Sequence, residues 1–301
     1  MNNKRRLFST VLCVAALTAG LFVSGCGSDK AGGIGSVVSS VVDGGDEKAV
    51  AKLNTLIDAT NRFNSDNASF AQFQAEGLAK LKGGFAEGAI TNQPHYDRLQ
   101  ADLEKAKKEG STFKEVDAER DNVLNILNEL VPVYKDLTAY DDSKAYMNDG
   151  GAKGKELAAK YVAAVEKFDA AYAKFNETLN KVNAEQSKKQ IEKLKKDGKK
   201  GYAAAMESTL RLTTLVDNLE KAPQKADKAA VEKELSEIEA LLKSINNDRG
   251  QVLADRYNSV VGDVRQVLAD PSDNNLNNMI EGFNGYIDTY NSTTPDQFDA
   301  K

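Results

Sequence analysis

The chain holds one histidine, His95, and two cysteines, Cys13 and Cys26, so its side chains offer narrow scope for chemistry. A nucleophile–histidine–acid arrangement would have to use His95, which lies beside Pro94 in a loop-like stretch. No Gly-x-Ser-x-Gly elbow supplies the serine. Zinc or haem held by histidines needs more of them. The segment from Gly150 to Glu156 is one residue short of a phosphate-binding loop, has Glu156 where Ser or Thr belongs, and follows no strand. It reads as the turn that starts a helix. Asp270 to Glu281 has the length of a calcium loop, but Asn275 stands where the turn needs Gly. Carboxylates are plentiful on polar helix faces, and none is set apart by an apolar neighbourhood. The reading is therefore no enzyme, no catalytic residue, no metal site and no cofactor.

Cys26 stands apart. Lys4, Arg5 and Arg6 form a basic start, Leu7 to Val23 an apolar run, and Val23-Ser24-Gly25-Cys26 closes it. Length and flanks fit a secretory signal rather than a membrane span. The last four residues resemble the bacterial lipobox at every position, which predicts a signal peptide over 1–25 and lipidation of Cys26. At about 0.8 kcal/mol per buried CH₂, a diacylglycerol on sulfur and an acyl chain on nitrogen would hold the protein on a bilayer almost irreversibly. Gly27, rather than Asp, after the cysteine points to the outer membrane. Residues 26–46, rich in Gly, Ser and Val and without helical period, read as a tether with a reach of about 25 Å. Cys13 is lost with the signal, leaving no partner for a disulfide.

Without the three basic residues of the signal, 37 Lys and Arg face 45 Asp and Glu. A net charge of about −8 argues against nucleic acid as a partner. Five prolines, no tryptophan and abundant Ala, Lys, Leu and Glu read as mostly helical. The organising stretch is 153–196, free of proline, where Tyr161, Val165, Phe168, Tyr172, Phe175, Leu179 and Val182 step by four and three. At about 1.5 Å per residue it makes a rod of about 65 Å. Such a rod cannot bury its own stripe, so other helices must line it.

Those helices are expected over about 47–82, 96–108, 113–147, 199–221, 225–246, 252–269 and 273–290. In the first, Phe63, Phe70, Phe73, Leu78 and Leu81 point inward, with a break near Asn64 to Asn67 capped by Ser65 or Asp66. Ser111 or Thr112 caps the third, which Pro132 should kink. Ser272 or Asp273 caps the last. The fold class is all-α: an elongated antiparallel bundle with coiled-coil-like long helices over 47–292, and a frayed tail over 293–301.

Lys188, Lys189, Lys193, Lys195, Lys196, Lys199 and Lys200 crowd one end of this acidic body. They suit phosphates of lipid headgroups or lipopolysaccharide, or an acidic partner. The plainer reading is that lysines in a last turn complement the helix dipole and solubilise a turn. The aromatic stripe of Tyr161, Phe168, Tyr172 and Phe175 is core first and ligand pocket second.

The junction Tyr140-Asp-Asp-Ser-Lys-Ala-Tyr146-Met-Asn-Asp149-Gly-Gly-Ala-Lys153-Gly154-Lys155-Glu-Leu157 resembles the YiiG-like family of bacterial lipoproteins. That family shows two tyrosines, an acid and a Lys-Gly-Lys in this order. The likeness begins around Lys52 to Asp58, runs through the organising helix to Tyr202, and recurs from Phe283 to Asn291. It implies a lipid-anchored helical protein with no established reaction or ligand, and carries no functional residues across. This tether is Gly- and Val-rich where the resemblance leads one to expect Pro and Ala. Tyr140, Tyr146, Asp149 and Lys153 form the polar junction where a site would be sought. The expected protein is an outer-membrane lipoprotein with its body in the periplasm, a non-catalytic scaffold for a protein partner in the envelope. The alternative is a bundle that binds a small or lipidic ligand in a buried pocket near the aromatic seam.

Overall fold

The computed structural model describes residues 46–300 apart from 69, 111 and 112. The signal segment, Cys26, the tether up to residue 45, and the expected caps Ser111 and Thr112 lie outside the described residues. Helices follow one another as α1 (Asp46–Ala68), α2 (Ala71–Lys82), α3 (Tyr96–Lys108), α4 (Lys114–Asp142), α5 (Tyr146–Asp149), α6 (Ala152–Lys196), α7 (Lys200–Lys221), α8 (Lys228–Lys243), α9 (Asp248–Ala269), α10 (Asp273–Asn291) and α11 (Pro295–Phe298). A 3₁₀ turn, Pro223–Lys225, joins α7 to α8. No strand occurs among the described residues. Contacts group the described residues into two compact units. One is Lys52–Val182; the other is 183–300 with 46–51, so the boundary falls inside α6.

In the first unit, polar pairs mark the register. Arg62–Asp102 (3.1 Å) and Arg98–Asp66 (2.5 Å) join α1 to α3. Gln100–Asn128 (2.6 Å) and Lys107–Asp121 (3.2 Å) join α3 to α4. Lys167–Glu129 and Lys174–Glu119 join α6 to α4. In each set a rising number on one helix meets a falling number on the other, so these neighbours are antiparallel. Exposed pairs of this kind contribute below about 1 kcal/mol each, and the energy lies in what they cover. Phe63 meets Phe168 and Tyr172 edge-on at 5.9 and 5.3 Å, and Tyr96 meets Phe168 at 5.1 Å. Leu99, Leu103, Val123, Leu127, Leu130, Phe175 and Leu179 are buried alongside. The four-three spacing of α6 thus marks its buried face.

Local breaks differ from the sequence expectation. Ser65 and Asp66 stay inside α1, which ends at Ala68. The corner is tied by Asn67, whose Nδ2 donates to Phe63 O (2.5 Å) while its Oδ1 accepts from Gln74 Nε2 (3.2 Å). Phe70 and Phe73, expected inward, are 42 % and 59 % exposed because the corner rotates α2 relative to α1's pattern. Helix α4 continues through Pro132, which is exposed, but stops at Asp142. Lys144 is left-handed (φ 53°), so α5 is a separate turn rather than the end of a helix to Met147.

In the second unit α7, α8, α9 and α10 pack in chain order. Arg211 makes a two-point bond to Glu234 (2.7 and 2.8 Å) and also reaches Glu237. Arg265 does the same to Glu232 (3.0 and 2.8 Å). The core is mostly aliphatic: Leu212, Val216, Leu219, Leu235, Ile238, Leu242, Val260, Val264, Val267 and Met279. Caps set the helix starts. Asp227 accepts from Ala229 N (2.9 Å), Ser272 from Asn275 N, and Asn247 from Gly250 N (3.0 Å), which starts α9 earlier than Val252.

The expected frayed tail is instead part of this unit. Thr294 and Gln297 form a capping box around α11, and Phe298 is buried against Tyr202 and Tyr290, both at 6.0 Å. Asn247 Nδ2 donates to the carbonyls of Gln297, Phe298 and Ala300 (3.0–3.1 Å). Asp299 Oδ1 accepts from Gly201 N (2.6 Å), supplying the cap that Lys199 cannot give α7. A Cβ at Gly201 would stand 2.1 Å from Phe298 O, so only glycine admits this approach.

Candidate functional site

Three of the four junction residues come together. Tyr140, at the end of α4, donates through its hydroxyl to Asp149 Oδ1 (2.6 Å). Asp149 in turn accepts from Gly151 N (2.9 Å) and Lys153 N (3.1 Å), capping the open start of α6. The Tyr140 hydrogen bond, with those two amides, holds the Asp149 carboxyl below its usual range. Phe85 packs on Tyr140 (5.1 Å) and Tyr146 (5.4 Å). A hydrogen bond to Glu87, with burial second, pushes the Tyr146 hydroxyl up to about 12. A Cβ at Gly154 would lie 2.5 Å from Tyr140 Cε1 and 2.7 Å from Phe85 Cγ. The elaborate sequence here is accounted for by a helix cap and a close crossing. Lys153 joins only through its backbone, its side chain being exposed.

The seven lysines sit on the last turns of α6, its turn, and the start of α7. Lys195 is bound to Glu207 (2.8 Å) and Glu192 (3.7 Å), which raise its pKa. Lys199 faces Asp296 at 3.7 Å. Lys188, Lys189, Lys193, Lys196 and Lys200 form no salt bridge among the described residues. The opposite face of the α6 tail, with Asn183, Ser187, Ile191 and Leu194, is buried.

The aromatic seam is filled by its own rings: Tyr161 and Phe175 are fully buried, and Phe168 and Tyr172 stack at 5.2 Å. Tyr161 donates to Gln93 Oε1 (2.8 Å). Next to it stands Asp169, whose Oδ2 is buried without a hydrogen-bond partner among the described residues. Burial, then the Glu166 carboxylate, pushes Asp169 up to about 7 against the pull of Lys82. Sequence reasoning passed over this residue because its position in the heptad lies beside the seam. A cleft of about 520 Å³ lies elsewhere, between α7 and α8, lined by Leu215, Leu219, Ala226, Val231, Arg211 and Glu234. His95 is exposed at the entrance to α3. Asp273 to Glu281 is helical, so the calcium-loop spacing is a helix start. Among the described residues no three His, Cys, Asp or Glu are grouped to hold a metal, and no helix is long and apolar enough to cross a membrane.

A family model described as "Protein of unknown function (DUF3829)" matches residues 47–269. The chain belongs to that family. No curated protein and no solved structure matches it. The DUF3829 match takes in both units and ends with the last residue of α9. Helix α10 and the clamp of Phe298 and Asp299 lie beyond it. That clamp was also invisible to sequence reasoning, because Asn247 reads locally as a cap and Asp299 as a polar tail residue.

Proposed function

We propose that this DUF3829 protein is a lipoprotein of the YiiG-like kind, anchored through Cys26 in the outer membrane. Its helical body works in the periplasm as a non-catalytic interaction module for a protein of the envelope. The observation that carries the reading is Val23-Ser24-Gly25-Cys26 at the end of a basic and then apolar start. The junction residues support it in a second way, since Tyr140 and Asp149 are used in holding α4 to α6 and are not left facing a substrate. Cross-linking in cells carrying the wild-type chain or Cys26→Ser tests it. One discrete protein recovered only with the anchored form is the expected result.

The second reading is a bundle that binds a small or lipidic ligand. Its observation is the cleft between α7 and α8, whose size falls within the range of ligand sites. The filled aromatic seam gives it no support. Recovery of a lipid or small molecule with both forms, and of no protein, would replace the first reading by this one.

A further inference from the structure

We propose that the lysine-bearing end of α6 and α7 is the face that lies against an anionic lipid surface. The inference rests on the lipid-anchor reading above. Between residues 188 and 200 the chain carries seven lysines against Glu192 and Asp197, on a body of net charge about −8. Most acids nearby are committed, Glu192 and Glu207 to Lys195, Asp296 to Lys199 and Asp299 to the α7 cap, which leaves Asp197 exposed in the turn. Lys189, Lys196 and Lys200 are exposed beside them and Lys193 is half-buried, and none of the four forms a salt bridge among the described residues. An acidic body is repelled by phosphate headgroups over most of its surface, so an end with local positive charge fixes which way it faces.

The path of the chain points to the same end. Helices α1 and α6 are antiparallel: Tyr172 donates to Thr60 O (3.5 Å), while Phe63, later in α1, lies against Phe168, earlier in α6. From Thr60 back to Asp46 is about 20 Å of helix, and the same travel forward from Tyr172 arrives just before Lys188. Residues 46–51 accordingly cluster in the same unit as 183–300. The chain therefore enters the body at the lysine end. Residues 27–45, even fully extended, span at most about 65 Å. An anchor at Cys26 brings this end to the lipid first.

The test uses the protein purified from bacterial membranes with its own N-terminus, reconstituted into vesicles of phosphatidylglycerol or of phosphatidylcholine. Lysines are acetylated briefly, and modification is read residue by residue by mass spectrometry. Lys189, Lys193, Lys196 and Lys200 should label at least about five-fold more slowly on phosphatidylglycerol, the equivalent of roughly one lysine–surface contact. The difference should vanish in high salt. Lys80, Lys135, Lys144 and Lys155, exposed in the first unit away from the start of α1, should label alike on both. Equal labelling of the four lysines on the two lipids, or equal protection on both, overturns the inference while the anchor reading stands. A protein with unmodified Cys26 that does not enter vesicles breaks the anchor reading and this inference with it.

Discussion

In the first unit aromatic rings close the space between helices; in the second, aliphatic side chains do so, and the chain's own end acts as a clamp. The first unit gathers Phe63, Tyr96, Phe168 and Tyr172 into one ring cluster and leaves Asp169 beside it with a buried, unanswered oxygen. The second gives two of its buried tyrosines partners, although Tyr290 and Glu220 each keep a buried oxygen without a hydrogen bond among the described residues. Tyr286 faces the hydroxyls of Ser208 and Thr209, each at 3.1 Å, and Tyr257 donates to Leu235 O. A buried polar group is neutral to stability when answered and costly when left alone. The first unit should therefore be sensitive to ring deletion and the second to anything that loosens its C-terminal turn, while Asp169 and Glu220 give each unit a dependence on pH.

The largest expected effect is Phe168→Ala. Removing the ring that touches Phe63, Tyr96 and Tyr172 should cost about 3–5 kcal/mol. Hydrogen exchange should accelerate in α3 and α4 and hardly change in α8 and α9; uniform acceleration would show that the two units do not differ in this way.

Asn247→Ala and Gly201→Ala attack the clamp from two sides. The first removes a helix cap and three bonds to carbonyls, the second drives a Cβ into Phe298 O. Each should cost about 2 kcal/mol and expose Phe298 to limited proteolysis. Survival of that site from cleavage in both variants would remove the clamp from the comparison.

Asp169→Asn should act in the opposite direction. Burial raises the folded carboxyl from 3.8 to about 7, so the folded state holds a proton that the unfolded chain has released. Its contribution is intact below about pH 4 and is lost as pH rises towards 7. The amide keeps the shape without the charge, so at pH 8 the variant should be more stable by about 1–2 kcal/mol, after allowance for partial exposure. At pH 4 it should match the wild type. Burial also raises Asp58 to about 6 and Glu220 to about 7, so a residual slope of the same sign should persist. The smallest effect belongs to Lys160→Ala, which breaks an exposed pair with Glu156 and should leave the thermal melt unchanged.

The helices were legible because their information is local and periodic. Tyr161 to Val182 repeat at the spacing of a buried stripe, and Ser272 announces a helix start by residue type alone. The break at Lys144 was not, since a lysine in left-handed backbone leaves no compositional mark. Nor was the clamp, because Asn247 meets the carbonyls of Phe298 and Ala300 only through the fold. Of the candidate site, the lysine crowd was visible as charge, but which lysines are unpaired depends on Glu207 and Asp296, far away in sequence. Tyr140 and Asp149 were visible as unusual residues, and their use as a cap needed their 2.6 Å bond.

The central claim is that Cys26 anchors this helical body to a membrane. Intact mass and fragmentation of the N-terminal peptide, from protein purified out of bacterial envelopes, test it most directly. The account predicts a chain beginning at Cys26, with a diacylglycerol on sulfur and an acyl chain on nitrogen. A chain cleaved elsewhere, or one beginning at an unmodified cysteine, would contradict it.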